Sequence, residues 1–156
     1  MLCYFVRHGT AVDAADFQGP DFDRPLTAKG RDRMERVAER LAELGVAVDE
    51  IVTSPLLRAK QTAMIIAGAL GTRPSEDERL GGIFNAGALK SILHERAGTN
   101  ALMLVGHEPT MSATIGRVLG GGSVEFKKGA IACVEITETQ LPSGTLLWMV
   151  PPKLLC

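Results

Sequence analysis

The 156-residue chain carries no excess charge of either sign: 17 Lys and Arg stand against 18 Asp and Glu, for a net charge of −1. That balance excludes the broad basic field of a dedicated nucleic-acid binder and the polybasic anchor of a membrane-surface protein, while leaving room for a local basic pocket. No stretch approaches the roughly 20 apolar residues of a membrane span. Cysteine is scarce, and Cys3, Cys133 and Cys156 are an odd number without metal-like or redox spacing. Cys3 and Cys133 lie in apolar runs and read as buried, inert thiols. The opening "MLCYFV" lacks the basic start and small-residue cleavage site of a secretory signal, so the expected location is the cytoplasm. No linker, repeat or low-complexity tract interrupts the chain. With 46% apolar and 22% charged residues, it reads as one globular domain over residues 1–156.

Apolar and polar residues alternate between two periods. Leu2–Val6 reads as a short buried strand, and Gly9–Pro25, with Gly19, Pro20 and several Asp, as a long loop of the kind that is usually functional or mobile. Thr27 is placed to cap a helix whose apolar face is Met34, Val37, Ala38, Leu41 and Leu44, with Gly45 as its stop. A strand over Glu50–Thr53 follows. Pro55 suits the first position of a second helix, over Leu56–Leu70, that ends near Gly71. Residues 72–84 are ambiguous, with room for a short strand near Arg79. Ala86–Glu95 reads as a third helix, Ala101–Gly106 as a buried strand, and "HEPTMSATIGRVLGG" as a loop turning into a fourth helix. Ala130–Ile136 and Thr145–Val150 close the chain as strands joined by the turn-like "PSG". Such alternation predicts an α/β fold, a three-layer α/β/α sandwich around a mostly parallel sheet. Ligands then bind at the carboxyl ends of the strands.

Three strand ends carry the candidate chemistry. The first runs into Arg7, His8 and Gly9, the second into "SPLLRAKQT" with Arg58 in a helical first turn, and the third into Gly106, His107, Glu108 and Pro109. Singly, each is an ordinary strand exit or helix start. Together, on parallel strands, they bring two guanidiniums and two imidazoles to one sheet edge, a poor core and a good cage for a dianion. The helix near Pro109 would add N–H groups and its positive dipole end.

"VRHGT", "SPLLRAKQT" and "VGHEP" resemble the RHG, SP..RA.QT and GH motifs of the histidine phosphatase superfamily, which has the phosphoglycerate-mutase-like fold. The short length, "DFDRPLTAKG" and "GAIACVEI" most resemble its SixA-type phosphohistidine phosphatases. The resemblance implies that His8 attacks phosphorus and is transiently phosphorylated. It also implies that Arg7 and Arg58 hold the non-bridging oxygens, that His107 assists at the same group, and that water then hydrolyses the phosphoenzyme. These roles are physically coherent, because a nucleophilic imidazole must be neutral with one free nitrogen, and flanking cations disfavour its protonation. A backbone carbonyl accepting the other N–H would fix the tautomer, and Gly9 permits the tight backbone required. No metal or other cofactor is expected, and His94, in a helical stretch, reads as surface or structural.

The chain departs from the family in one respect. Many members carry a Glu general acid in a recognisable pattern, which "SEDERLGGIFNAG" does not reproduce, although it holds Glu76, Asp77 and Glu78. Asp13 and Glu108 are further candidates. A phosphoramidate leaves as neutral imidazole once its ring nitrogen is protonated and depends less on a placed acid than an alkoxide does. The expected substrate is therefore phosphohistidine on a protein, such as a phosphotransfer domain or a phosphotransferase-system carrier, with inorganic phosphate as product. A phosphatase of small phosphomonoesters and a non-catalytic phospho-ligand module are the alternatives. Arg24 either lines the pocket mouth or is solvated, and the Lys127–Lys128 doublet reads as solvated surface.

Overall fold

The computed structural model describes all residues, Met1–Cys156. Its strands are β1 (Leu2–Arg7), β2 (Glu50–Thr53), β3 (Pro74–Glu76), β4 (Ala101–Gly106), β5 (Ile131–Glu138) and β6 (Ser143–Val150). Its helices are α1 (Ala28–Glu43), α2 (Leu57–Leu70), α3 (Ala86–Glu95) and α4 (Thr110–Val118). The strands form one sheet in the order β3-β2-β4-β1-β5-β6. Pairing is parallel from β3 through β1, whereas β5 runs antiparallel to both β1 and β6. All strands but β5 therefore point the same way, and the sheet is mostly parallel as its alternation with helices predicts.

Both faces of the sheet are covered, which is why β1 and β4 read as unbroken apolar runs. On one face Cys3, Phe5, Leu102 and Leu104 pack with Leu89, Ile92 and Leu93 of α3 and Met111 and Ile115 of α4. On the other, Tyr4, Val6, Met103 and Val105 meet Met34, Val37 and Leu41 of α1 and Ala59, Ala63 and Ile66 of α2. Alternate residues of one strand thus serve opposite layers. Cys3 and Cys133 are buried, and burial is the largest cause raising both thiols.

The first helix begins as its sequence requires. Thr27 Oγ1 accepts from the Gly30 N–H at 2.9 Å, and the chain leaves the helix through Gly45 at φ +73°. Elsewhere boundaries move. Leu56 is the N-cap of α2, so Pro55 precedes the helix instead of opening it. The short strand falls at Pro74–Glu76, because these residues extend the sheet edge beside β2, while Arg79 sits in a 3-10 turn capped by Asp77. Ser143 and Gly144 of "PSG" belong to β6, and the reversal lies just before them.

Register sets the site. Val105 of β4 is level with Val6 on one side and Thr53 on the other. One residue further, the His8 N–H donates to the Gly106 carbonyl at 3.1 Å and the Ser54 N–H to the Val105 carbonyl at 2.9 Å. Three adjacent strands therefore end on one level, and the residues that follow them face a common space.

Candidate active site

His8 leaves β1 into that space with only 7% of its surface exposed. Its Nδ1 lies 2.7 Å from the carbonyl oxygen of Gly9. A carbonyl can only accept, so Nδ1 carries the proton and Nε2 keeps its lone pair free. The turn that makes this bond is held from α2: the Gly9 N–H donates to Thr62 Oγ1 at 3.0 Å, and that hydroxyl donates to the Arg58 carbonyl at 2.8 Å. A Cβ on Gly9 would lie 2.6 Å from Cγ of Met34, so the close packing of this turn on α1 requires glycine.

His107, after β4, places its ring 5.0 Å from that of His8, centroid to centroid. Its Nε2 is 2.7 Å from Ser54 Oγ, and the same oxygen accepts from the Leu56 N–H at 3.2 Å. The strand end of β2 thus orients the second histidine, a role that its "SP" dipeptide did not disclose.

Two guanidiniums complete the cluster. Arg7 donates through Nη1 to the Phe126 carbonyl at 2.8 Å. Arg58, 6% exposed in the first turn of α2, donates through Nη1 to the Asp21 carbonyl at 2.9 Å and through Nη2 to the Asp21 carboxylate at 3.0 Å. Arg7 Nε, Arg58 Nε and His107 Nδ1 are buried without a hydrogen-bond partner. A buried polar group left unpaired costs about 1–3 kcal/mol, so these are groups whose hydrogen-bonding capacity the protein itself leaves unmet.

The electrostatics agree. Burial is the largest cause lowering His8 to about 3; the Gly9 carbonyl opposes it, and His107, Arg58 and Arg7 add to it. His107 is lowered to about 4, by burial first and then by Arg58, with Arg24 and Arg7 contributing and Asp21 opposing. Burial also lowers Arg7, against the nearby Glu108 carboxylate. Both imidazoles are therefore neutral at pH 7.

These shifts predict a pH dependence with a definite sign. Between the ordinary histidine value of about 6.5 and the folded values of about 3 and 4, the unfolded chain binds protons that the native chain does not. Stability from this source is complete above pH 6.5 and falls as pH drops toward 3. Heteronuclear NMR at pH 5.5 is expected to find His8 and His107 uncharged, and urea titrations to show a midpoint lower at pH 4.5 than at pH 7. In a His8→Gln/His107→Gln variant that difference is expected to shrink.

Asp21 is the residue that sequence reasoning missed. It sits in a 3-10 turn (Asp21–Asp23) within the long loop, and its carboxylate also accepts from Arg24 Nε at 2.8 Å. The hydrogen bond from Arg24 is the largest cause holding Asp21 below the usual carboxylate range, with Arg58 adding to it. Arg24 in turn donates to the Val12 carbonyl at 2.7 Å, which ties the loop to the cluster and to itself. No local pattern marks Asp21, whose partner lies 37 residues away.

The candidate acids are dispersed. Asp13 is exposed and accepts from the Ala15 N–H at 3.0 Å, and Glu78 is exposed at the start of a 3-10 turn; neither bonds to a cluster residue. Glu76 pairs with Lys60, and Asp77 with Arg79. Glu108 lies beside Arg7, but its carboxylate accepts from the Ser112 N–H and hydroxyl and so caps the first turn of α4. The Met111 N–H is also taken, by the His107 carbonyl. The start of α4 therefore spends these two N–H groups on its own cap. His94 is exposed on α3, and no group of three or more His, Cys, Asp or Glu side chains is placed to hold a metal ion.

Comparison with known proteins adds a family. Residues 3–86 match the model of the histidine phosphatase superfamily (branch 1). An uncharacterized protein of Picosynechococcus sp. is 47% identical over 114 residues, which cover 71% of this chain and 68% of that protein. A Salmonella paratyphi A protein named probable phosphoglycerate mutase GpmB is 33% identical over 148 residues. These cover 91% of this chain but 65% of that relative's length. Among solved structures, the protein histidine phosphatase SixA complexed with tungstate superimposes over 100% of both chains, with a TM-score of 0.87 and 26% identity.

Proposed function

The chain belongs to the histidine phosphatase superfamily, and on that premise we propose that it hydrolyses phosphohistidine on a protein through a phosphorylated His8. The observation that carries this reading is the buried cluster itself: a neutral imidazole with one free nitrogen, set beside a second neutral imidazole and close to the Arg7 and Arg58 guanidiniums. In this reading His8 Nε2 attacks phosphorus in line and the bond from phosphorus to the substrate's ring nitrogen breaks. The substrate imidazole departs neutral, its other nitrogen already protonated. Arg7 and Arg58 neutralise the charge spread over the equatorial oxygens, and His107 acts on the same group. The Gly9 carbonyl, bonded to Nδ1–H, stabilises the positive charge that builds on the His8 ring. Water then cleaves the N–P bond, releasing inorganic phosphate and restoring His8.

Two observations favour the phosphoramidate over an ester. Asp13 and Glu78 are exposed and bond to none of the four cluster residues, and Glu108 is engaged in capping α4. The solved structure whose fold this chain shares along its whole length, 26% identical, is named a protein histidine phosphatase. The likeness to proteins named phosphoglycerate mutase supports the second reading, a phosphatase of small phosphomonoesters.

Rapid quench during turnover, followed by mass spectrometry, is expected to locate the phosphoryl group on His8. Release rates are expected to be higher from a histidine-phosphorylated protein than from phosphoglycerate or a nucleotide. Preference for either ester would overturn the substrate assignment and leave the phosphoenzyme intact.

A further inference from the structure

A cavity of about 680 Å³ lies beside the histidine pair and not over it; the two regions share Arg7. It is an open groove. Arg33 of α1, Lys127 and Lys128 before β5, and Lys153 after β6 line it. Glu125 is its one acidic residue and is paired with Lys127. Arg33, Lys128 and Lys153 form no ion pair. Apolar groups stand among these cations: Pro151, Pro152, and Met149, which is 38% exposed at the end of β6.

A basic rim around a small apolar centre, in a chain of net charge −1, is a concentrated field with an adhesive middle. Its lysines extend into solvent instead of closing over a ligand, as the exposed Lys127 and Lys128 show. A small phosphorylated molecule gains little from such spread, screened charges. A protein surface bearing several carboxylates meets them all at once and is steered before contact.

We infer that this groove docks the acidic face of the phosphohistidine-bearing protein, setting its modified side chain over Arg7 and His8. The inference rests on the substrate reading above. It makes the groove a recognition surface separate from the chemistry: carboxylates of the partner face Arg33, Lys128 and Lys153, and its apolar residues cover Met149 and Pro151.

The test is the triple charge reversal Arg33→Glu/Lys128→Glu/Lys153→Glu, assayed on a histidine-phosphorylated acidic phosphotransfer domain and, separately, on phosphoramidate. For the protein, kcat/KM is expected to fall about 10- to 100-fold, through KM. Phosphoramidate hydrolysis is expected to stay within about twofold of the parent, which also shows that the variant is folded. Rising salt is expected to slow the parent on the protein substrate and to leave the variant nearly unchanged. Equal kcat/KM for parent and variant on the protein would overturn the docking surface alone. A matched loss on phosphoramidate would overturn it too, by placing the groove in the chemistry. A parent inactive on the phosphorylated protein but active on esters would overturn the substrate reading and this inference with it.

Discussion

His8→Ala is expected to reduce kcat by on the order of 10⁴-fold or more while leaving orthophosphate bound nearly as tightly as by the parent. The asymmetry follows from the geometry. The groups proposed to hold the anion, Arg7, Arg58 and His107, are anchored by Phe126, Asp21 and Ser54 and not by His8. Removing the imaginable pull of one neutral ring costs the anion little; removing the only nitrogen poised by the Gly9 carbonyl removes the path to a phosphoenzyme. Steady-state release with a phosphohistidine protein measures the first effect, and calorimetric titration with orthophosphate the second. The ring is buried, so its loss is expected to lower stability by about 1–3 kcal/mol, which a urea midpoint separates from the loss of chemistry. Turnover retained within about tenfold would exclude His8 as the nucleophile. His107, 5.0 Å away, would then be the remaining imidazole able to take the phosphoryl group.

How far the sequence discloses this arrangement depends on the range over which each signal acts. Short-range signals were legible: Thr27 capping α1, the apolar face from Met34 to Leu41, and the paired apolar runs of β1 and β4 all act within a few residues or one strand pair. Strand alternation with helices was enough to place Arg7, His8, Arg58 and His107 at one sheet edge, because parallel strands must end on the same side. Three side-chain arrangements lay beyond that reach. Asp21 meets Arg58 only because the long loop folds back over α2, and no periodicity encodes a loop's path. Ser54 orients His107 across the β2–β4 pair, a consequence of register that neither segment carries alone. Glu108, adjacent to His107 in the chain, turns instead to cap α4, since two donors of Ser112 lie within reach of its carboxylate. Around Arg79 the propensities were too even to fix a strand, and the vacant edge of β2 decided the matter three residues earlier.

Arg58→Ala is expected to lower kcat/KM by about 10²–10³-fold, the usual cost of one preorganised donor to a transferring group. Arg58→Lys is expected to recover little. The guanidinium is held in a planar fork by Nη1 and Nη2 on Asp21, whereas an ammonium has no second donor held in register with the first. The two Asp21 contacts therefore fix the orientation of the fork. That makes Asp21 a positioning residue, separable from Arg58 by the pattern of loss. Asp21→Asn keeps an acceptor for Nη2 and is expected to cost only a few-fold, roughly the worth of the charge in a half-exposed pair. Asp21→Ala removes the acceptor of Nη2 and leaves only the backbone carbonyl on Nη1, and is expected to lower kcat/KM about tenfold while orthophosphate affinity changes less. Steady-state kinetics of the four variants, each beside an orthophosphate titration, checks the order. Should Arg58→Lys match the parent, a point charge would suffice at this position, and neither the planar fork nor its Asp21 anchor would be needed to explain how the site holds a phosphoryl group.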